Sequence, residues 1–189
     1  KDLKIRNSSI SEIFIKYPIA LVGLMGVGKT TAGKQLAKSL NRDFYDSDYE
    51  IEKASGRTIT GYFKDYGEKE FRKGERRVIE RLLGSEAIVL ATGGGAYVQK
   101  ETHKILNRKA LTIWLKGDLS TIMDRVSRNY DKRPLLQVND PEAKIKELIK
   151  TRHPIYSKAH ITVTIDNDEQ YSISNKIINA IKKYQSDNK

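Results

Sequence analysis

Hydrophobic and polar positions change their period repeatedly along this chain. Short runs of apolar or β-prone residues alternate with longer stretches at helical spacing. The short runs are "IALVG" (19–23), "DFYDSD" (43–48), "AIVLATGGG" (87–95), "ALTIWL" (110–115) and "HITVTI" (160–165), and each predicts a strand. Near-continuous apolar runs suit strands covered on both faces, the condition of a parallel sheet. Helices are predicted at about 28–40, 48–54, 58–65, 68–83, 98–107, 118–127, 141–152 and 169–184. In 68–83 the residues Phe71, Val78, Ile79, Leu82 and Leu83 form the inward stripe, and Gly84 is expected to end the helix. Pro141 opens the helix at 141 from a first-turn position. Ser9 to Glu12 form a capping box before Ile13 and Phe14, so a leading helix is expected to about Lys16, where Pro18 stops it.

Strands alternating with helices predict one α/β domain over 1–189, a parallel sheet with helices on both faces. The segment 129–139, "NYDKRPLLQVN", breaks the pattern: it is polar and charged without helical period, and it reads as a mobile flap between two helices.

Composition narrows this picture little. Charged residues are 31% and hydrophobic residues 38%, an ordinary globular balance. There is no cysteine, which excludes disulfides and thiolate metal sites and agrees with a reducing cytoplasm. No apolar run approaches a membrane span, and no secretory signal is expected. The net charge of +11 raises the question of nucleic acid, but 23 of the 35 basic residues are lysines scattered over helical stretches as solvated faces. Neither nucleic acid nor membrane is therefore expected as a partner.

The chemistry begins at "GLMGVGKTT" (23–31), where Gly23-x-x-x-x-Gly28-Lys29-Thr30 is a complete phosphate-loop motif between a strand and a helix. Its glycines let backbone N–H groups converge on phosphate oxygens, with the helix N-terminus behind them. Gly26, Val27, Gly28, Lys29, Thr30 and Thr31 are the expected nucleotide contacts, Lys29 reaching the β- and γ-phosphates and Thr30 offering its hydroxyl to Mg²⁺. Asp46 and Asp48 close the second strand and should face the loop, one near Mg²⁺ and one near a hydroxyl acceptor. Gly93-Gly94-Gly95 marks either a close backbone approach or a flexible turn. Arg72, with Glu75 one turn on to orient it, Arg133 before Pro134, and Arg152 at a helix end suggest a clamp on a carboxylate and neutralisation of a moving phosphoryl group. His103, His153 and His160 lack metal-ligand spacing, and Trp114 is expected in the core.

In order, "GLMGVGKTT", "DSD", "GRTITGYFKDYGEKEFRKGE", "TGGGA", "RPLL" and "RHPIY" resemble the shikimate kinase family over about 20–165. The resemblance implies a P-loop three-layer α/β/α sandwich with a five-stranded parallel sheet and a lid at about 127–139. It implies transfer of the ATP γ-phosphoryl group to the 3-hydroxyl of shikimate, with Mg²⁺, by a cytoplasmic monomer. It assigns the accepting hydroxyl to Asp48 and Mg²⁺, through water, to Asp46. It gives the shikimate carboxylate to Arg72 and Arg152, a backbone contact with shikimate to Gly94, and the closing contact on the phosphates to the lid residue Arg133. Where the family often has an adenine-side arginine this chain has Val126, with Arg125 beside it. A gluconate kinase of the same fold, and a non-catalytic nucleotide- or nucleic-acid-binding module, are the alternatives.

Overall fold

A computed structural model describes residues 17–85, 88–128, 139–166 and 170–188. Five strands form one sheet: β1 (Ile19–Val22), β2 (Asp43–Asp46), β3 (Ile88–Ala91), β4 (Leu111–Lys116) and β5 (Ile161–Thr164). Their order across the sheet is β2-β3-β1-β4-β5, and every pairing is parallel. Ala20 sits opposite Leu90 on one side and Thr112 on the other. The central strands β1 and β3 are buried at every position, whereas the edge strand β5 alternates buried Ile161 and Val163 with exposed Thr162 and Thr164. The continuous apolar runs therefore belong to the sheet's centre and the alternating one to its rim.

Helices flank the sheet: α1 (Lys29–Leu40), α2 (Ser47–Ser55), α3 (Ile59–Leu82), α4 (Lys100–Lys109), α5 (Leu119–Ser127), α6 (Pro141–Tyr156) and α7 (Gln170–Asp187). α1 packs on α7, α2 on α3 and α5 on α6. α3 is two helices joined at Gly67, whose φ of 80° and ψ of 171° interrupt the helical path. The break falls between the two helices predicted there. Among the described residues, no helix is long and apolar enough to cross a membrane.

α3 ends at Leu82, just before Gly84 as predicted, though not in a left-handed turn: the Gly84 N–H donates to the Arg81 carbonyl and that of Ser85 to the Leu82 carbonyl, closing the last turn. One predicted boundary differs. α6 does not stop at residue 152 but runs through Pro154 to Tyr156. Proline in a final turn forgoes one helical bond. Complete burial of Tyr156 holds that turn in place. The predicted leading helix lies outside the described residues, as does the flap apart from its margins.

Because the strands are parallel, the ends of β1, β2 and β3 all open on one edge. The phosphate loop, the Asp46–Asp48 turn and the triglycine turn thus come together although the sequence spreads them over 73 positions, from Gly23 to Gly95.

Candidate active site

The edge holds a cavity of about 850 Å³, lined among others by Gly26, Gly28, Lys29, Thr30, Thr31, Asp46, Asp48, Arg72, Gly94 and Arg152. Of the predicted site residues, only Arg133 falls outside the described residues, and only Val27, buried in the core, lies apart from the lining.

The phosphate end is built on α1. Asp46, Thr58, Asp118 and Asp140 cap α2, α3, α5 and α6 with their side chains, satisfying first-turn N–H groups. α1 starts at Gly28, φ 92°, with no side-chain cap and no acidic residue in its first turn. Its N-terminal donors and dipole are left for an anion. Lys29 is 8% exposed, and its Nζ donates to the carbonyls of Gly23 and Leu24, so the ammonium is held inside the loop.

Asp46 has a split role. Its Oδ1 accepts from the N–H groups of Asp48 (2.9 Å) and Tyr49 (3.3 Å), capping α2, while Oδ2 accepts from the Thr30 hydroxyl at 2.7 Å. The cap fixes the carboxylate so that its free oxygen meets Thr30. Asp48, one residue into α2, turns to the triglycine instead. Burial, and then the Asp46 carboxylate, raise its pKa above the ordinary carboxylate value, with Lys29 and Arg72 pulling the other way. A carboxylate raised in this way is nearer the range useful for taking a proton.

The triglycine turn is a close approach. A Cβ on Gly93 would lie 2.6 Å from Asp48 Oδ1, one on Gly94 3.5 Å from Arg152 Nη1, and one on Gly95 2.8 Å from Arg72 Nη1. Three functional side chains from three helices thus rest on three successive glycines. The buried Ser47 hydroxyl accepts from the Gly93 N–H at 3.0 Å and ties the turn to α2.

Arg72 is held from its own helix, by Glu75 at 2.9 Å and Glu68 at 3.5 Å, and lies over the Phe63 and Phe71 rings at 5.9 and 5.2 Å. Glu75 is 1% exposed; burial pushes its pKa up to about 7 against the opposing charge and hydrogen bond of Arg72. Arg152 Nη1 is buried with no hydrogen-bond partner among the described residues. Buried donors ordinarily have acceptors; this one faces the cavity wall at Gly94, where a ligand oxygen would supply one. Arg125 lies beside the phosphate-loop motif: its Nη1 is 3.1 Å from where a Gly28 Cβ would be, and its Nη2 donates to the Asp166 carbonyl at 3.2 Å.

Sequence reasoning did not single out Ser47, Phe63 or Glu68. Glu68 stands four residues before Arg72, a spacing that was readable; Ser47 and Phe63 carry no such signal. Trp114 is buried, as expected, with His153 edge-on at 4.9 Å. His103 and His160 join a hydrogen-bond network with Asn107 and Thr112, away from the cavity lining.

The family model for shikimate kinase matches residues 25–182. The shikimate kinase of Bartonella henselae is 44% identical over 181 residues, covering 96% of this chain and 85% of that protein. That of Zymomonas mobilis is 46% identical over 169 residues, covering 88% and 96%. Among solved structures, shikimate kinase from Acinetobacter baumannii in complex with shikimate superposes with a TM-score of 0.85 at 39% identity, over 92% of this chain and 97% of that one. A gluconokinase from Sinorhizobium meliloti reaches a TM-score of 0.53 at 15% identity, covering 91% and 98%, a likeness of fold alone.

Proposed function

This chain belongs to the shikimate kinase family, ATP-dependent phosphotransferases, and from that premise we propose how its own residues divide the transfer of the ATP γ-phosphoryl group to the 3-hydroxyl of shikimate. The uncapped start of α1 and the loop Gly26–Thr31 hold the phosphates. Lys29 follows the charge onto the transferring group, and Arg133 closes over the same oxygens. Asp48 orients the accepting hydroxyl and takes its proton as the oxygen attacks phosphorus and the bond to the ADP oxygen breaks. Arg125 serves the adenine side.

The Thr30 hydroxyl and Asp46 carboxylate, 2.7 Å apart, are hard oxygen donors of the kind Mg²⁺ takes while keeping waters and phosphate oxygens. They would hold the ion, Asp46 through water, and the ion would neutralise charge on the phosphates. That the enzyme acts as a cytoplasmic monomer belongs to the same reading, and a chain without cysteine agrees with a reducing compartment.

One observation carries the acceptor assignment: Arg72 and Arg152 lie against the successive glycines Gly95 and Gly94, and a buried nitrogen of Arg152 lacks an acceptor among the described residues. Two guanidinium groups on adjacent glycines favour an anion between them, and a carboxylate accepts paired hydrogen bonds. The test compares shikimate with its neutral carboxamide on the wild type and on Arg72→Ala. Leaving the arginines unpaired costs roughly 2–5 kcal/mol, so the amide should lose about 30-fold or more in kcat/KM on the wild type and far less on the variant. Equal treatment of acid and amide by the wild type refutes the clamp.

A further inference from the structure

Residues 152 and 156 lie four apart on α6, so their side chains leave the helix on one face. That face meets the middle of the triglycine turn. Arg152 Nη1 lies 3.5 Å from where a Cβ on Gly94 would be, an ordinary contact distance, and the Tyr156 hydroxyl donates to the Gly94 carbonyl oxygen. Tyr156 is wholly buried, its ring stacked with Tyr97 at 6.3 Å and tilted against Trp114 at 6.1 Å, so the hydroxyl cannot swing away. It remains a donor across the working pH range. Burial pushes its pKa up to about 12, with the charge of Arg152 acting in the opposite direction.

A peptide unit is planar, and in the trans form its carbonyl and its N–H point to opposite sides; no cis bond occurs among the described residues. Holding the Gly94 carbonyl therefore also fixes the direction of the Gly95 N–H. The Gly93 N–H is already taken by Ser47 and the Ala96 N–H by the Gly93 carbonyl. Each end of the turn is thus tied down from within, and Tyr156 ties down its centre.

We propose that Tyr156 is a positioning residue for the acceptor: its hydroxyl sets the Gly94–Gly95 peptide and the Arg152 guanidinium in one fixed arrangement for the carboxylate-bearing alcohol. This deepens the acceptor reading above and rests on it. A role confined to packing would need the ring but not the oxygen. Removing the oxygen alone leaves the Gly94 carbonyl, partly buried at the cavity wall, without this donor and frees both the peptide plane and Arg152 to reorient.

The test is Tyr156→Phe, read by steady-state kinetics and by shikimate titration in a calorimeter. The KM and Kd for shikimate should rise about tenfold, in line with the cost of ordering on binding a group that is no longer held in advance. The KM for ATP should stay within about twofold and kcat within about threefold. Incorporating p-aminophenylalanine at position 156 restores a donor at the same place and should return the shikimate KM to within about threefold of wild type. Should Tyr156→Phe fail to fold, 4-fluorophenylalanine, which fills the hydroxyl's space without donating, is compared with p-aminophenylalanine by the same measurements. An unchanged shikimate KM overturns the proposal, as does a parallel rise for both substrates or a failure of the amino group to rescue. Arg152→Ala separates the two levels. If it leaves shikimate KM unchanged, the carboxylate clamp falls and this inference with it; if it raises KM while Tyr156→Phe does not, only this inference falls.

Discussion

At the residue scale the site depends on how differently two nearby aspartates are held. Asp46 is committed on both oxygens, to the α2 cap and to Thr30, whereas Asp48 lies against Gly93 with its pKa raised by burial and by Asp46. Asp48 is therefore the one free to exchange a proton. Asp48→Asn keeps the shape and removes the base, and kcat should fall roughly 10²-fold or more. In the wild type, activity should decline as pH falls through the raised pKa, because protonated Asp48 cannot accept; the residual activity of Asp48→Asn should lack that acid limb. Glu75 gives a second test. Its folded pKa of about 7 lies above the ordinary carboxylate value, so the folded state binds the extra proton between those limits. Stability from this group is present at low pH and is lost as pH rises through about 7. Glu75→Gln should gain in melting temperature relative to wild type on going from pH 5 to pH 8. At pH 8, where Glu75 is ionised, the variant's KM for shikimate should exceed that of wild type several-fold, since a neutral amide no longer anchors Arg72; at pH 5, where the wild-type carboxyl is itself neutral, the difference should shrink. A melting difference that ignores pH would show that Glu75 is not ionised at a cost.

At the scale of elements, the strands and most helices were readable because their burial is periodic in the sequence. β1 and β3 are apolar throughout and lie at the centre, and the phosphate loop announces itself between β1 and α1. The triglycine turn was legible only as a choice between flexibility and close approach. What settles it is the arrival of Asp48, Arg152 and Arg72 from α2, α6 and α3, a tertiary fact with no local signature. The end of α6 was misplaced for a similar reason: Pro154 is a local stop signal, and burial of Tyr156 overrides it. The close approach makes a graded prediction. At Gly93 and Gly95 an added Cβ would strike the tips of flexible side chains, Asp48 and Arg72, rather than backbone. Gly93→Ala and Gly95→Ala should therefore fold with melting points near wild type yet be poor enzymes, since catalytic groups tolerate little displacement. A loss of roughly 10–100-fold is expected. It should appear mainly in kcat for Gly93→Ala, through Asp48, and mainly in shikimate KM for Gly95→Ala, through Arg72. Variants that unfold, or that keep full activity, would contradict this account of the turn.

For the whole molecule, the net charge of +11 is carried in part by surface lysines. Four lysines among the described residues sit in helical pairs, such as Lys73 with Glu70 and Lys146 with Glu142, as expected of solvated faces. In the proposed division of the site, two binding halves share one sheet edge, with phosphate contacts assigned to the β1–α1 side and acceptor contacts to α3, α6 and the β3 turn. Each half should stabilise the fold independently, because a ligand that binds only the folded chain adds about RT ln(1 + [L]/Kd), or roughly 2.7 kcal/mol at a hundredfold excess over Kd. For a chain of this length that is a rise of about 5–10 °C in the melting midpoint. Trp114, the sole tryptophan, is buried beside the phosphate loop, its ring 3.5 Å from where a Gly23 Cβ would lie, so its fluorescence can follow unfolding. Lys29→Ala should lose most of the shift given by ATP with Mg²⁺ and keep that given by shikimate. Arg72→Ala should do the reverse. If either substitution abolished both shifts, the two halves would form one cooperative unit, and the assignment of Lys29 to the nucleotide and Arg72 to the acceptor would have to be abandoned.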